Sequence, residues 1–350
     1  MAVLSNTLQK ILFIRTDRLG DFLLNLPAIH VLKKSCPKAH LSVLLHPSLE
    51  ELFKDHPDID EVIPFSPILQ GTHFLKWFLF FWALKKKSYD LVLISNPHKY
   101  FHLFTFLMRI SCRVGYRRKW GFLLTHTLPD VKSQSLKHEV EYNLDLVRLS
   151  GAKLTDDHAI QNDAIPLSAQ DELSFETVAQ QKGLNLKKSW IVINPTTTAS
   201  FKQWPISHFI ELIQKLSQIG HPRKSGDPAQ LVLIGGPVES TLIKKELLPY
   251  LPPSVFDLSG MLNLKQLAVL LKRAALLISN DSGPVHMAAA FHTKTVVLFG
   301  KHVQGSNPKR WGPWDPKNKT SHTIIQRDTI TDIKVQDVWE HIQNHPLLSS

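Results

Sequence analysis

The feature that most limits what this chain can become is a rhythm: short apolar runs of strand length alternate with stretches whose apolar residues recur at helical spacing. In the first half the runs are LFI at 12–14, LSVLL at 41–45, EVIPF at 61–65 and DLVLIS at 90–95. Behind the first of them, Phe22, Leu23, Leu26, Ile29 and Leu32 keep to one face of a helix. This alternation is the signature of parallel strands joined by helices in a doubly wound sheet. A second series begins with WIVINP at 190–195 and continues through LVLIGG at 231–236, VFDLSG at 255–260, LLISND at 276–281 and TVVLFG at 295–300. Helices are predicted near 205–219, 238–249 and 263–274. At 350 residues the chain can bury two separate cores. The expectation is therefore two doubly wound α/β domains, 1–165 and 166–330. A closing segment, 331–350, carries a helix near 334–344 that can pack back across the domain boundary. The stretch Asp156–Asp171, acidic and without a period, reads as the linker, and His221–Gln230 as an exposed loop.

Composition narrows the setting. Hydrophobic residues make up 43% and charged residues 20%, a globular mixture rather than a disordered one. The two cysteines, Cys36 and Cys112, have no metal or redox spacing, and the first residues lack a secretory pattern, so a cytoplasmic protein is expected. The formal charge of +11 divides as +5 over residues 1–165 and +6 over the rest, which suits an anionic ligand, an anionic membrane surface or nucleic acid. The most apolar stretch, FLKWFLFFWAL at 74–84, is about half the roughly 20 residues that span a bilayer. It is followed by Lys85, Lys86 and Lys87 and then by YFHLFTFLMRI at 100–110. These segments read either as two buried helices of the first domain or as an aromatic and basic face resting on a membrane.

Open α/β sheets bind ligands at the carboxyl ends of their strands, so the turns after the strands are where chemistry is sought. The first such turn, RTDRLGD at 15–21, holds two cations and two carboxylates. Asp21 reads either as a helix cap or, with Gly20 allowing a tight turn, as a general base. In DSGPVHMAAA at 281–290 a strand ends, Gly283 permits close approach, and Pro284 stands at a helix start whose N–H groups suit phosphate. His286 is either part of that site or an interior histidine. In NPTTTASFKQWP at 194–205 a string of hydroxyls precedes Lys202, a set that can share a diphosphate's charge without a metal. The turn GGPVE at 235–239 has glycines for close approach and a carboxylate able to meet a ribose.

Together these segments resemble glycosyltransferase family 9, the ADP-heptose:lipopolysaccharide heptosyltransferases. The likeness runs from ILFIRTDRLGDFLLNLPAIHVLKKSCPKAHLSVL to LLISNDSGPVHMAAAFHTKTVVLFG, with SFKQWP between them. It implies GT-B architecture, two Rossmann-like domains facing across a cleft, with acceptor on the first and donor on the second. It makes Asp21 the base that deprotonates the acceptor hydroxyl. Thr197, Thr198 and Lys202 match positions that hold the donor diphosphate, and Ser282 and Gly283 match its other clamp. Asp281 and His286 belong to the same motif, Glu239 should approach the donor ribose, and Leu262 should line the adenine pocket. Arg15, Arg18, Arg117 and Arg118 are candidates for anionic groups of the acceptor, from charge and position.

The function implied is inverting transfer of a heptose from ADP-heptose to the inner core of lipopolysaccharide. The acceptor would be a lipid-linked saccharide, with peripheral contact at the cytoplasmic face of the inner membrane. No DxD dyad or His/Cys cluster suggests a metal, and no cofactor is expected. The alternatives are a family member with another donor or acceptor, and a non-catalytic protein that binds a nucleotide sugar or another anion. A nicotinamide dehydrogenase is disfavoured because its first turn should read GxGxxG where this chain reads TDRLGD. Nucleic acid is disfavoured because no recognition motif is present.

Overall fold

The computed structural model describes residues 9–66, 73–153, 165–218, 229–301, 307–316, 318 and 321–343. The chain divides into two compact units, Met1–Pro166 and Leu167–Ser350. Ser168 caps a helix, Ala169–Gln181, so the last residues of the expected linker are already helical. The rest of that linker from residue 156 to 164, and residues 221–228 of the expected loop, lie outside the described residues.

The first unit is built on six strands: β1 (Lys10–Ile14), β2 (His40–Leu45), β3 (Glu61–Pro64), β4 (Leu91–Ile94), β5 (Cys112–Arg117) and β6 (His126–Pro129). The second has β7 (Trp190–Asn194), β8 (Gln230–Leu233), β9 (Val255–Asp257), β10 (Leu276–Asn280), β11 (Thr295–Gly300) and β12 (His322–Arg327). All pairings are parallel, in the order β3-β2-β1-β4-β5-β6 and β12-β11-β10-β7-β8-β9. Taken from each unit's first strand, the two orders are the same doubly wound arrangement, 3-2-1-4-5-6. The strand order therefore reverses between β1 and β4 in one sheet and between β7 and β10 in the other. Each reversal opens a crevice beyond the carboxyl ends of its two central strands.

The central strands form because they are apolar throughout and covered on both faces. β4 and β7 are buried along their whole lengths, and β1 from its second residue on. In the first unit, Leu12, Ile14, Val92 and Ile94 pack with Trp77, Phe81, Phe101 and Phe104 from the helices His73–Lys85 and Lys99–Leu107. Phe81 stacks on Phe104 with centroids 5.0 Å apart. These two aromatic segments are helices with one buried face each. In the second unit, Ile191, Ile193 and Ile278 pack with Trp204, Phe209 and Leu212. Val335, Val338 and Ile342 of the last helix, Val335–Gln343, join that same core. The described part of this helix is thus packed within its own unit, against Ile206–Gln218.

Candidate active site

At the crevice of the first sheet, β1 runs into Arg15 and β4 into Ser95. Arg15 is 4% exposed and is surrounded by acceptors. Its Nη2 donates to Asp21 Oδ1 at 2.8 Å, its Nε lies 3.1 Å from Asp17, and its Nη1 lies 3.6 Å from Glu139 and donates to Ser95 Oγ at 3.2 Å. Of the guanidinium's donors, Nη1 and Nη2 hydrogen-bond within the unit, while Nε makes an ion pair with Asp17 and no hydrogen bond. Arg15 is therefore not positioned to meet an acceptor anion, as its charge alone had suggested. Its three carboxylates outweigh the cost of burial and raise its pKa above the ordinary value.

Asp21 lies in the first turn of the short helix Leu19–Leu23, but no side chain caps that helix. The cap reading is thus replaced by an ion pair. Gly20, expected in a tight turn, is the second residue of the helix and buried. The Asp21 side chain keeps 26% of its surface open, so a substrate can reach it. Its pKa is raised, first by burial; Arg15 pulls it down, and Asp17 and Glu139 push it up. A carboxylate made more basic than usual and still partly open is what a general base requires.

Polar groups that the sequence reading missed hold this turn. Asn96 donates to Asp17 at 2.9 Å and to Thr16 at 3.2 Å. Ser95 bonds Asn25 at 2.6 Å, and Asn25 donates to the Asp21 carbonyl at 2.7 Å. The signal available was a polar residue at the end of an apolar run or within an apolar helix face. Of the other arginines, Arg18 is exposed beside the Leu19–Leu23 helix, Arg117 is exposed at the end of β5, and Arg118 pairs with Asp130 at 3.2 Å.

At the crevice of the second sheet the expected donor residues come together around the ends of β7 and β10. Lys202 Nζ lies 2.5 Å from Asp281 Oδ2, joining the turn after β7 to the turn after β10. Ser282 Oγ accepts from Asn194 at 2.9 Å and bonds Ser279 Oγ at 2.9 Å, so it faces the strand ends instead of capping its own helix. The helix Gly283–Ala290 then begins with Pro284 in its first turn and no side-chain cap, and His286 is 7% exposed. Such a start offers backbone N–H groups and the positive end of a helix dipole to an anion.

The hydroxyl loop is shaped by two amides. Gln203 accepts from the Thr197 N–H at 3.1 Å and donates to the Pro195 carbonyl. Asn280 donates to Pro195 at 3.1 Å and accepts from Trp204 N at 3.0 Å. Thr198 is exposed on this loop. Beside it, after β8, the Glu239 carboxylate overhangs Gly236, where an added Cβ would collide with it. Gly260 donates to the Gly235 carbonyl at 2.8 Å, which ties the turn holding Leu262 to the turn before Glu239. That turn needs glycine: φ at Gly260 is +72°, and a Cβ would lie 2.9 Å from Ser240. Among the described residues, no group of three or more His, Cys, Asp or Glu is arranged to hold a metal ion.

The family described as glycosyltransferase family 9 (heptosyltransferase) matches residues 77–342 of this chain. A protein of Haemophilus influenzae, named no more finely than as a glycosyltransferase, is 28% identical over 326 residues, which cover 89% of this chain and 88% of that protein. Lipopolysaccharide heptosyltransferase 3 of Escherichia coli is 27% identical over 305 residues, covering 84% of this chain and 82% of its own length. Among solved structures, the E. coli ADP-heptose lps heptosyltransferase II aligns with a TM-score of 0.74 at 22% identity, over 97% of this chain and 99% of that one. This likeness is one of fold, the α/β GT-B class.

Proposed function

The chain belongs to glycosyltransferase family 9, and from that premise we propose that it moves a heptose from ADP-heptose to the inner core of a lipid-linked saccharide, with inversion at the anomeric carbon. The observation that carries this reading is the anion site of the second unit. There Lys202 is held by Asp281 next to an uncapped helix start, with Thr197 and Thr198 on the adjoining loop and Glu239 and Leu262 on neighbouring turns. A cation, hydroxyls and a helix dipole suit a diphosphate, while a carboxylate and an apolar wall suit a nucleoside.

In the proposed step, Asp21 takes the proton of the acceptor hydroxyl as its oxygen bonds to the anomeric carbon. The bond from that carbon to the diphosphate oxygen breaks, and its electron pair leaves with ADP. Lys202 and the N–H groups at Ser282 and Gly283 stabilise that charge. Asp281 and His286 border the transferred sugar. Arg18, Arg117 and Arg118 serve anionic groups of the acceptor; Arg15 instead orients the base.

A lipid-linked acceptor calls for work at a membrane surface, and one face of the first unit supports this. No helix among the described residues is long and apolar enough to cross a membrane. On the helix His73–Lys85, Trp77, Phe81 and Leu84 are buried, while Leu75, Leu79 and Trp82 are 61%, 58% and 52% exposed in a single stripe. Lys85 lies over the Trp82 ring at 4.8 Å. The charge that looks even by halves is concentrated locally: between residues 62 and 129 there are ten Lys or Arg and a single acid, Asp90. Interleaved aromatics and cations of this kind favour the interface of an anionic bilayer.

The deciding experiment is a thermal-stability screen with ADP-, UDP- and GDP-sugars, followed by acceptor-dependent release of the nucleoside diphosphate. Stabilisation by ADP-heptose with ADP release supports the assignment. Preference for another sugar nucleotide would move the chain to a different donor, and binding without release would make it a non-catalytic binder.

A further inference from the structure

The buried charge around Arg15 continues away from Asp21 to a carboxylate that no step above uses. Glu139 opens the helix Glu139–Leu149, with 1% of its side chain exposed. It accepts from Lys132 Nζ at 2.7 Å and stands 3.6 Å from Arg15 Nη1. Lys132 is itself buried, 4.3 Å over the Tyr116 ring. An interior ion pair is costly, and apolar residues of similar volume often stabilise a fold as well or better, so its presence calls for a use. Here the use is geometric. Glu139 occupies the far edge of the guanidinium, which leaves the other edges to Asp21 at 2.8 Å and Asp17 at 3.1 Å.

The groups that face Asp21 are Arg15 from the end of β1, Asp17 from the same turn and Glu139 from the helix, with Lys132 behind Glu139. Three carboxylates against two cations leave one negative charge in excess. Asp17 has Asn96 to share its charge, and Glu139 has Lys132. The excess therefore falls on Asp21, whose carboxylate has Arg15 as its one hydrogen-bond donor among the described residues and keeps 26% of its surface open. We propose that Glu139 is a positioning residue that acts through Arg15, fixing how the Asp21 carboxylate is aimed and how much of the cluster's negative charge it carries. This rests on the reading of Asp21 as the base. The burial of Asp21 and the repulsion from Glu139 both raise its pKa, which agrees with this role.

Direct titration of Asp21 tests the coupling. With carboxyl-13C aspartate, the Asp21 resonance is assigned by its loss in Asp21→Asn and followed against pH in the parent and in Glu139→Gln. The titration is expected to move to lower pH in the variant, because a like charge is removed and Arg15 is left to its remaining carboxylates. kcat/KM should fall about ten- to a hundredfold with its acid limb moving the same way, since small misplacements of a reacting group are costly. ADP affinity should stay unchanged. Glu139→Asp, which keeps the charge, should restore part of both readouts. Lys132→Met with Glu139→Gln removes both buried charges together and carries the same expectation where the single variant does not fold. A folded variant with the parent's Asp21 titration and pH profile would overturn the proposal. Lack of transfer by the parent would overturn the function instead and leave the titration to decide the coupling.

Discussion

Replacing Asp21 by Asn separates catalysis from folding at the residue proposed as the general base. In the fold, Asp21 accepts one hydrogen bond from Arg15 at 2.8 Å and caps no helix. Asn keeps the shape and an oxygen that can accept the same bond, so a charge-assisted contact becomes a neutral one, a loss of about 1 kcal/mol. Arg15 still has Asp17 and Glu139, at 3.1 and 3.6 Å, so its buried charge stays compensated. Part of even that small loss is offset, because burial already disfavours the charged form of Asp21. The rate should change far more. Loss of a general base typically costs about 10² to 10⁴, equivalent to roughly 3–5 kcal/mol of barrier. The measurements are a urea melt, calorimetric ADP affinity and acceptor-dependent ADP release. The expected pattern is stability within about 1 kcal/mol of the parent, unchanged ADP binding and nearly all turnover lost. A folded variant that transfers at close to the parent rate would exclude Asp21 as the base. Asp17, 3.1 Å from Arg15 and 38% exposed, would then be the next candidate.

Lys202→Ala removes a charge-assisted contact and takes the Lys202 counter-charge away from Asp281, so ADP affinity should drop by about 1.5–3 kcal/mol, roughly ten- to a hundredfold; unchanged affinity in calorimetry would dismantle the proposed diphosphate site. Co-sedimentation with anionic vesicles should weaken as salt rises and fall further in Trp82→Glu, while neutral vesicles bind little; equal failure with both lipids at low salt would remove the membrane face and leave the enzyme intact. His102 is fully buried, and burial pushes its pKa down to about 4, with the Trp120 backbone pulling up and His98 and Lys119 pushing down. Because the folded state resists protonation, its contribution is complete above about pH 6.5 and is lost as pH falls toward 4, by about 3 kcal/mol. Urea melts at pH 7.5 and 4 should show a flatter dependence in His102→Gln, and an identical slope in both proteins would contradict the assignment.

The central strands were readable because they are continuously apolar, as in LFI, DLVLIS, WIVIN and LLISN. β5, β6 and β12 were not. CRVGYR mixes buried Val114 and Tyr116 with Arg113 and Arg117, HTLP is at most half-buried, and in HTIIQR only Ile325 is fully covered. Strands toward a sheet edge meet solvent on one side and carry no apolar run to betray them. At the candidate site, DSGPVH and SFKQWP stood out as motifs because each follows a strand and leads into a helix start, all local in the chain. Arg15 could not be assigned, because an arginine's role depends on its partners. Glu139 lies far downstream, and only the β1–β4 crevice brings the two together.

In the proposed transfer, one topology serves opposite chemical needs at its two crevices. Both arise where a 3-2-1-4-5-6 order reverses, so each presents the turns after its first and fourth strands. In the first unit the turn after the first strand sets Asp17 and Asp21 against the buried Arg15, which Glu139 meets from the helix Glu139–Leu149. In the second, the turn after the fourth strand passes directly into the helix Gly283–Ala290, and Ser282 turns its hydroxyl back to Asn194 and Ser279 rather than capping. The helix start is thereby left to attract an anion, with Lys202 beside it. Proton removal needs surplus negative charge, and departure of a diphosphate needs positive potential; placed in one turn, each would neutralise the other. Exchange of the deciding residues should accordingly fail: a carboxylate in place of Ser282 would repel the diphosphate, and a cation in place of Asp21 would leave Arg15 beside a like charge.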